Sequence, residues 1–110
     1  MVKIEEKKET GYLLITLIGE IDASNSLELD QTIARALKSG EQHIVVDGSR
    51  LEYISSAGLG VFMSYIEDMK AQNVKFVLFG LSDKVYSVFR ILGLDELLMI
   101  KADKSEALEV

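Results

Sequence analysis

The sequence predicts an α/β fold: a mixed β-sheet that opens with an N-terminal hairpin, continues in mostly parallel strands and carries about four helices. Two observations lead there. Short apolar runs alternate with segments of helical period along most of the 110 residues, the pattern of strand-helix-strand units. At the N-terminus two strand-like runs flank the turn Glu9-Thr10-Gly11, which makes them a hairpin.

Val2 to Lys8 forms the first strand, with Val2 and Ile4 on one side. Tyr12 to Ile18 is apolar except at Thr16, which predicts an interior strand covered on both faces. After Gly19-Glu20-Ile21-Asp22-Ala23, Asn25 and Glu28 have the spacing of a reciprocal N-cap. Leu29, Ile33, Ala36 and Leu37 then recur at helical spacing until Lys38 and Gly40 close the helix. His43 to Asp47 is a short strand, followed by a connection through Tyr53. From Ser56 to about Gln72, Leu59, Phe62, Ile66 and Met69 define one buried stripe, with Glu67, Asp68 and Lys70 off it. Val74 to Phe79 is a strand stopped by Gly80. Ser82 caps a helix whose Val85, Val88, Phe89 and Leu92 face inward before Gly93. Leu97 to Ile100 is a last short strand, and Asp103 with Glu106 opens a brief terminal helix through Leu108. Each parallel step requires a right-handed crossover. Strand order and the distribution of helices over the two faces stay open at this level.

Composition narrows the function classes. The length suits one domain, residues 1–110, able to bury roughly 60 to 70% of its unfolded surface. No apolar run approaches the roughly 20 residues of a membrane span, and Met1 to Thr10 lacks the apolar centre of a secretory signal, so no membrane association is expected and the cytoplasm is the expected compartment. A net charge of −6 disfavours direct nucleic-acid binding, which requires a basic stripe; acidic patches could instead steer a basic protein partner. The absence of cysteine removes disulfides, thiol nucleophiles and thiolate metal sites. With His43 the lone histidine, His-rich metal sites go too, and since no cofactor motif stands in the sequence, no metal and no cofactor are expected.

Few residues are equipped for catalysis. No serine stands in a Gly-x-Ser-x-Gly turn, His43 reads as a strand-edge residue, and Glu20 with Asp22 is a carboxylate pair in a loop. The most informative stretch is Ser55-Ser56-Ala57-Gly58-Leu59-Gly60, where a loop turns into a helix. Either serine can be an N-cap, with Gly58 and Gly60 letting the first turn approach the sheet. Nucleotide binding is the weaker alternative, since Met63 occupies the third glycine position of a dinucleotide loop and no Gly-Lys-Ser/Thr follows. A third reading is a serine that is itself phosphorylated, its phosphate met by the helix N-terminus.

Gly19-Glu20-Ile21-Asp22, Ile44-Val45-Val46-Asp47 and above all Tyr53 to Phe62 resemble the anti-sigma factor antagonists, bacterial proteins built as a single STAS domain. The family usually reads Asp-Ser-Ser/Thr-Gly-Leu-Gly, which places its phosphoacceptor on Ser56, with Ser55 a competing acceptor. Here Ser55 stands in the aspartate position and Ala57 in the Ser/Thr position. The resemblance implies a partner surface that includes Asp22, Ser55, Ser56, Ala57 and Gly58. It also implies a domain, monomeric when free and not an enzyme, that binds an anti-sigma factor which is also its serine kinase. That binding would release a sigma factor, and phosphorylation would end it. The alternatives from other classes are a receiver-like domain that forms an acyl phosphate on Asp47, and a small enzyme.

Overall fold

The computed structural model of the protein describes residues Met1–Val110. In chain order the elements are β1 (Val2–Glu9), β2 (Tyr12–Ile21), α1 (Ser26–Lys38), β3 (His43–Ile54), α2 (Ser56–Ala71), β4 (Lys75–Phe79), α3 (Asp83–Ile91), β5 (Met99–Lys101) and α4 (Lys104–Leu108). The five strands lie in one sheet in the order of the chain, β1 antiparallel to β2 and every later pair parallel. The mixed α/β class and its opening hairpin are as the sequence predicts. Because each parallel crossover steps to the next neighbour with the same hand, the three connecting helices fall on one face.

That arrangement divides the core unequally. Leu29, Ile33 and Ala36 of α1, Leu59, Phe62 and Met69 of α2, and Val85 and Phe89 of α3 pack in one cluster on Leu13, Ile15 and Leu17 of β2 and Ile44 and Val46 of β3. Phe62 is central, with ring centroids 6.0 Å from Phe76 and 5.9 Å from Phe89. The opposite face has only the small cluster of Val45, Val77, Phe79 and Ala107, the last from α4. β2 therefore corrects the expectation of full cover: Leu13, Ile15 and Leu17 are buried, whereas Tyr12, Leu14, Thr16 and Ile18 are half-buried. The Tyr65 hydroxyl of α2 donates to the carboxylate of Asp30 on α1, joining the two helices. Burial and that carboxylate push the Tyr65 phenol up to about 12. No helix is long and apolar enough to cross a membrane.

Two strands run well past their expected ends. β2 continues to Ile21, and β3, expected to stop at Asp47, continues to Ile54 because β2 pairs with it through Ile18–Arg50, Gly19–Leu51, Glu20–Tyr53 and Ile21–Ile54. Register shifts after Thr16 and Gly19 bury Gly48, Leu51 and Ile54 in place of strict alternation. A strand with that spacing does not read as one. Gly19 has φ +100°, and a Cβ there would lie 2.5 Å from the Met1 carbonyl oxygen, so the chain passes only as glycine. The end of α3 also differs. Leu92, expected inside, is the C-cap residue and 55% exposed, because the helix has already ended at Ile91. Leu97, expected to open the last strand, is likewise exposed and precedes β5.

His43 opens β3 with its Nε2 buried and without a hydrogen-bond partner, its ring tilted against Tyr12 at 6.3 Å. Burial, reinforced by the Lys75 charge, holds the imidazole below its usual 6.5 against an upward pull from the Ala107 backbone. The unfolded chain takes up a proton near pH 6.5 that the folded protein resists, so stability falls as pH drops below that value and recovers above it. Urea denaturation between about pH 7.5 and 5.5 should show this slope, and His43→Gln should flatten it. In the main core, Phe62→Ala should cost about 3 to 5 kcal/mol, whereas Leu92→Ala should change stability by no more than about 0.5 kcal/mol. Urea midpoints of the two variants give both values.

Candidate functional site

The C-terminal ends of β2 and β3 meet at Ile21 and Ile54, and two loops leave from there side by side. From β2 the chain passes through Asp22 into α1; from β3 it passes through Ser55 into α2. A backbone hydrogen bond ties the loops together, the Ser55 N–H donating to the Ile21 carbonyl at 2.8 Å. Residues far apart in sequence, Asp22 and the Ser55–Gly58 turn, are thereby brought into one place.

Within the α2 turn the two serines differ. Ser55 is the N-cap: its backbone is extended, its carbonyl accepts the Leu59 N–H at 2.9 Å, and its Oγ accepts the Gly58 N–H at 3.3 Å. It is half-buried, whereas Ser56 and Ala57 are exposed. By helix geometry the N–H groups of Ser56 and Ala57 have no acceptor inside the helix, and no acidic residue lies in the first turn. The turn therefore presents a free hydroxyl at an uncompensated positive helix end.

The glycines serve different ends. A Cβ on Gly58 would lie 2.7 Å from Ile54 Cγ1 and 2.8 Å from Ile21 Cγ2, so glycine lets the first turn of α2 settle onto the strand ends. Gly60, expected to act the same way, is exposed, and a Cβ on it would meet nothing within 4 Å. The close approach belongs to Gly58 alone.

On the β2 side, Asp22 Oδ1 accepts from both the Ser24 hydroxyl, at 2.5 Å, and the Ser24 N–H, at 2.9 Å. These bonds hold the Asp22 carboxyl below its usual range. Asn25 corrects the reciprocal-cap expectation, because its side chain makes no cap bond to α1. It accepts the Asp22 N–H at 2.9 Å and donates to the Glu20 carbonyl at 3.0 Å instead. Glu20 is exposed and paired in the sheet with Tyr53.

Sequence reasoning misses one part of this region. A groove of about 320 Å³ runs beside Ser55 and Ser56, walled by Tyr53, Leu59, Val88, Ile91 and Leu92. Tyr53 falls in a segment that reads as a connection and Leu92 in one that reads as core; the exposed apolar ending of α3 is the signal that could have found it. The receiver-like alternative loses its premise. Asp47 does not end a strand, since β3 continues to Ile54, and its Oδ1 accepts from the Ser49 hydroxyl and N–H at 2.7 and 2.9 Å. His43 lies at the other end of β3 from Ser56 and takes no part in the site.

The family model of the STAS domain matches residues 2–107. The anti-sigma-B factor antagonist of Listeria monocytogenes is 31% identical over 106 residues, 96% of this chain and 91% of that protein. Among solved structures, an anti-sigma factor antagonist from Mycobacterium paratuberculosis superposes with a TM-score of 0.90 at 20% identity, over 99% of this chain and 92% of the other. The Bacillus cell fate determinant SpoIIAA in its phosphorylated form does so with a TM-score of 0.72 at 24% identity, over 99% and 97%. At these identities the two structures speak for the fold.

The geometry separates the two glycines by experiment. Gly58→Ala should destabilise the protein by about 1 to 3 kcal/mol, since the new methyl overlaps two isoleucines. Gly60→Ala should stabilise it by about 0.5 to 1 kcal/mol, the helix-propensity difference with open space around it. Thermal unfolding of both variants checks the opposite signs.

Proposed function

Because this chain belongs to the STAS domain family, we propose that it is an anti-sigma factor antagonist whose unphosphorylated form binds an anti-sigma factor and so releases a sigma factor. The anti-sigma factor is also the serine kinase that phosphorylates Ser56, and phosphorylation ends the binding. The observation that carries this reading is the exposed Ser56 hydroxyl at the start of α2, held beside the Asp22 loop by the bond from Ser55 to Ile21. Ser55 is the poorer acceptor, since its oxygen is already engaged as the helix cap and its side chain is half-buried. The relative from Listeria monocytogenes, an anti-sigma-B factor antagonist, supports the antagonist role.

The contact surface consists of Asp22, Ser55, Ser56, Ala57 and Gly58. On this reading the chain is one STAS domain over residues 1–110, a cytoplasmic regulator rather than an enzyme, monomeric when free, needing no cofactor or metal and touching neither nucleic acid nor membrane. A phosphoserine adds a charge of about −1.5 to −2. At the N-terminus of α2 that charge meets free N–H donors and the positive end of the dipole, so the fold tolerates it. In a contact surface the same charge must be desolvated or face the partner's carboxylates, at about 3 to 5 kcal/mol, or two to three or more orders of magnitude in affinity.

Ser56→Asp should therefore leave the melting temperature nearly unchanged and weaken binding to the anti-sigma factor about a hundredfold or more, while Ser56→Ala should bind and resist switching. Calorimetric titration with the anti-sigma factor kinase encoded in the same genome, alongside thermal unfolding, measures both. Parent-like affinity in Ser56→Asp, or loss of binding only through unfolding, refutes the mechanism.

A further inference from the structure

Asn25 is a buried polar side chain at the edge of the site, and what it holds is unusual for its position. A residue at the N-cap normally turns its side chain onto its own helix. Asn25 turns the other way: Oδ1 accepts the Asp22 N–H and Nδ2 donates to the Glu20 carbonyl, while the helix start is served by backbone groups, the Ser26 N–H on the Asp22 carbonyl at 2.9 Å and the Glu28 N–H on the Asn25 carbonyl at 3.0 Å. Glu20 and Asp22 flank Ile21, and the Ile21 carbonyl is the group that accepts the Ser55 N–H. The side chain of Asn25 thus grips the backbone on both sides of the bond that joins the two loops.

We propose that Asn25 is the positioning residue of the phosphoacceptor, setting through the Ile21 carbonyl where Ser55, and Ser56 after it, stand relative to Asp22. The role rests on the assignment of Ser56 as acceptor; the backbone coupling does not. Asparagine suits the task because one planar group supplies an acceptor and a donor together. Aspartate keeps the acceptor and loses the donor, and alanine loses both. With alanine, the Ile21–Asp22 peptide loses the partner of its N–H, and the Ser55 bond to its carbonyl loses that support.

Amide hydrogen exchange on Asn25→Ala and Asn25→Asp, beside the parent chain, tests the coupling without any partner. The Ser55 amide should exchange at least about tenfold faster in Asn25→Ala relative to the Val46 and Leu78 amides, which report on the sheet. In Asn25→Asp the acceleration should be smaller, with the Asp22 amide still protected. Phosphorylation by the same anti-sigma factor kinase should then show kcat reduced about tenfold in Asn25→Ala with KM little changed, and partly restored in Asn25→Asp. Ser55 exchange that is unchanged, or that rises only in step with Val46 and Leu78, overturns the coupling. Exchange that rises with unaltered phosphorylation kinetics overturns the positioning role. A parent chain that this kinase does not phosphorylate at Ser56 removes the acceptor assignment and the role with it, whatever the exchange of Ser55 shows.

Discussion

The parallel pairing of β2 with β3, carried through two register shifts to Ile21 and Ile54, is the constraint on which the rest of this molecule depends. Were the two strands to separate at Asp47, as β3 and β4 do, the chain after Asp47 would be a free connection. Neither Asp22 nor Ser55 would then have a fixed place. Continued pairing instead delivers both strand ends to the same end of the sheet, where the Ser55 N–H closes onto the Ile21 carbonyl. Gly19 is what the extension requires of the sequence, since a side chain there would collide with the Met1 carbonyl. The site is in this sense a by-product of strand length.

On the proposed reading the same helix is both core and recognition element, and the two duties are separated along its length. Phe62 and Met69 anchor α2 in the main cluster, and the Tyr65 hydroxyl ties it to α1 through Asp30. In the first turn, by contrast, Gly58 and Leu59 pack inward while Ser56 and Ala57 face solvent. A charge placed on Ser56 therefore acts on whatever approaches this end and leaves the packing of Phe62 alone. That separation is the physical condition for a modification that alters binding without unfolding the domain.

The departures from the family's usual residues are consistent with this arrangement. Ser55 fills the N-cap role that an aspartate could also fill, so the cap survives while the negative charge beside Ser56 is gone. Without it the dipole of α2 has no acidic neighbour in its first turn, a setting more favourable to an added phosphate. Ala57 is exposed, so a hydroxyl at this position would be open to solvent.

Periodicity and caps are local properties, and the sequence by itself determined what depends on them: the mixed α/β class, the hairpin at Glu9–Tyr12, the buried stripe of α2, the caps at Ser82 and Asp103, and the turn carrying Ser55 and Ser56. It also pointed to Asp22 through resemblance. Tertiary structure decided the rest. The second half of β3 was illegible because its bulges replace alternation with burial at Gly48, Leu51 and Ile54, a spacing that only the partner strand β2 makes into a strand. Leu92 has the right helical spacing for the core but lies past the end of α3, where the helix no longer turns it inward. Asn25 has the spacing of a cap, yet its bonding capacity goes to Glu20 and Asp22, because the extended β2 brings those peptide groups within its reach. A local pattern specifies which way a side chain faces within its own element; where that element stops, and which groups of another element it meets there, is settled only by packing and pairing across the whole sheet.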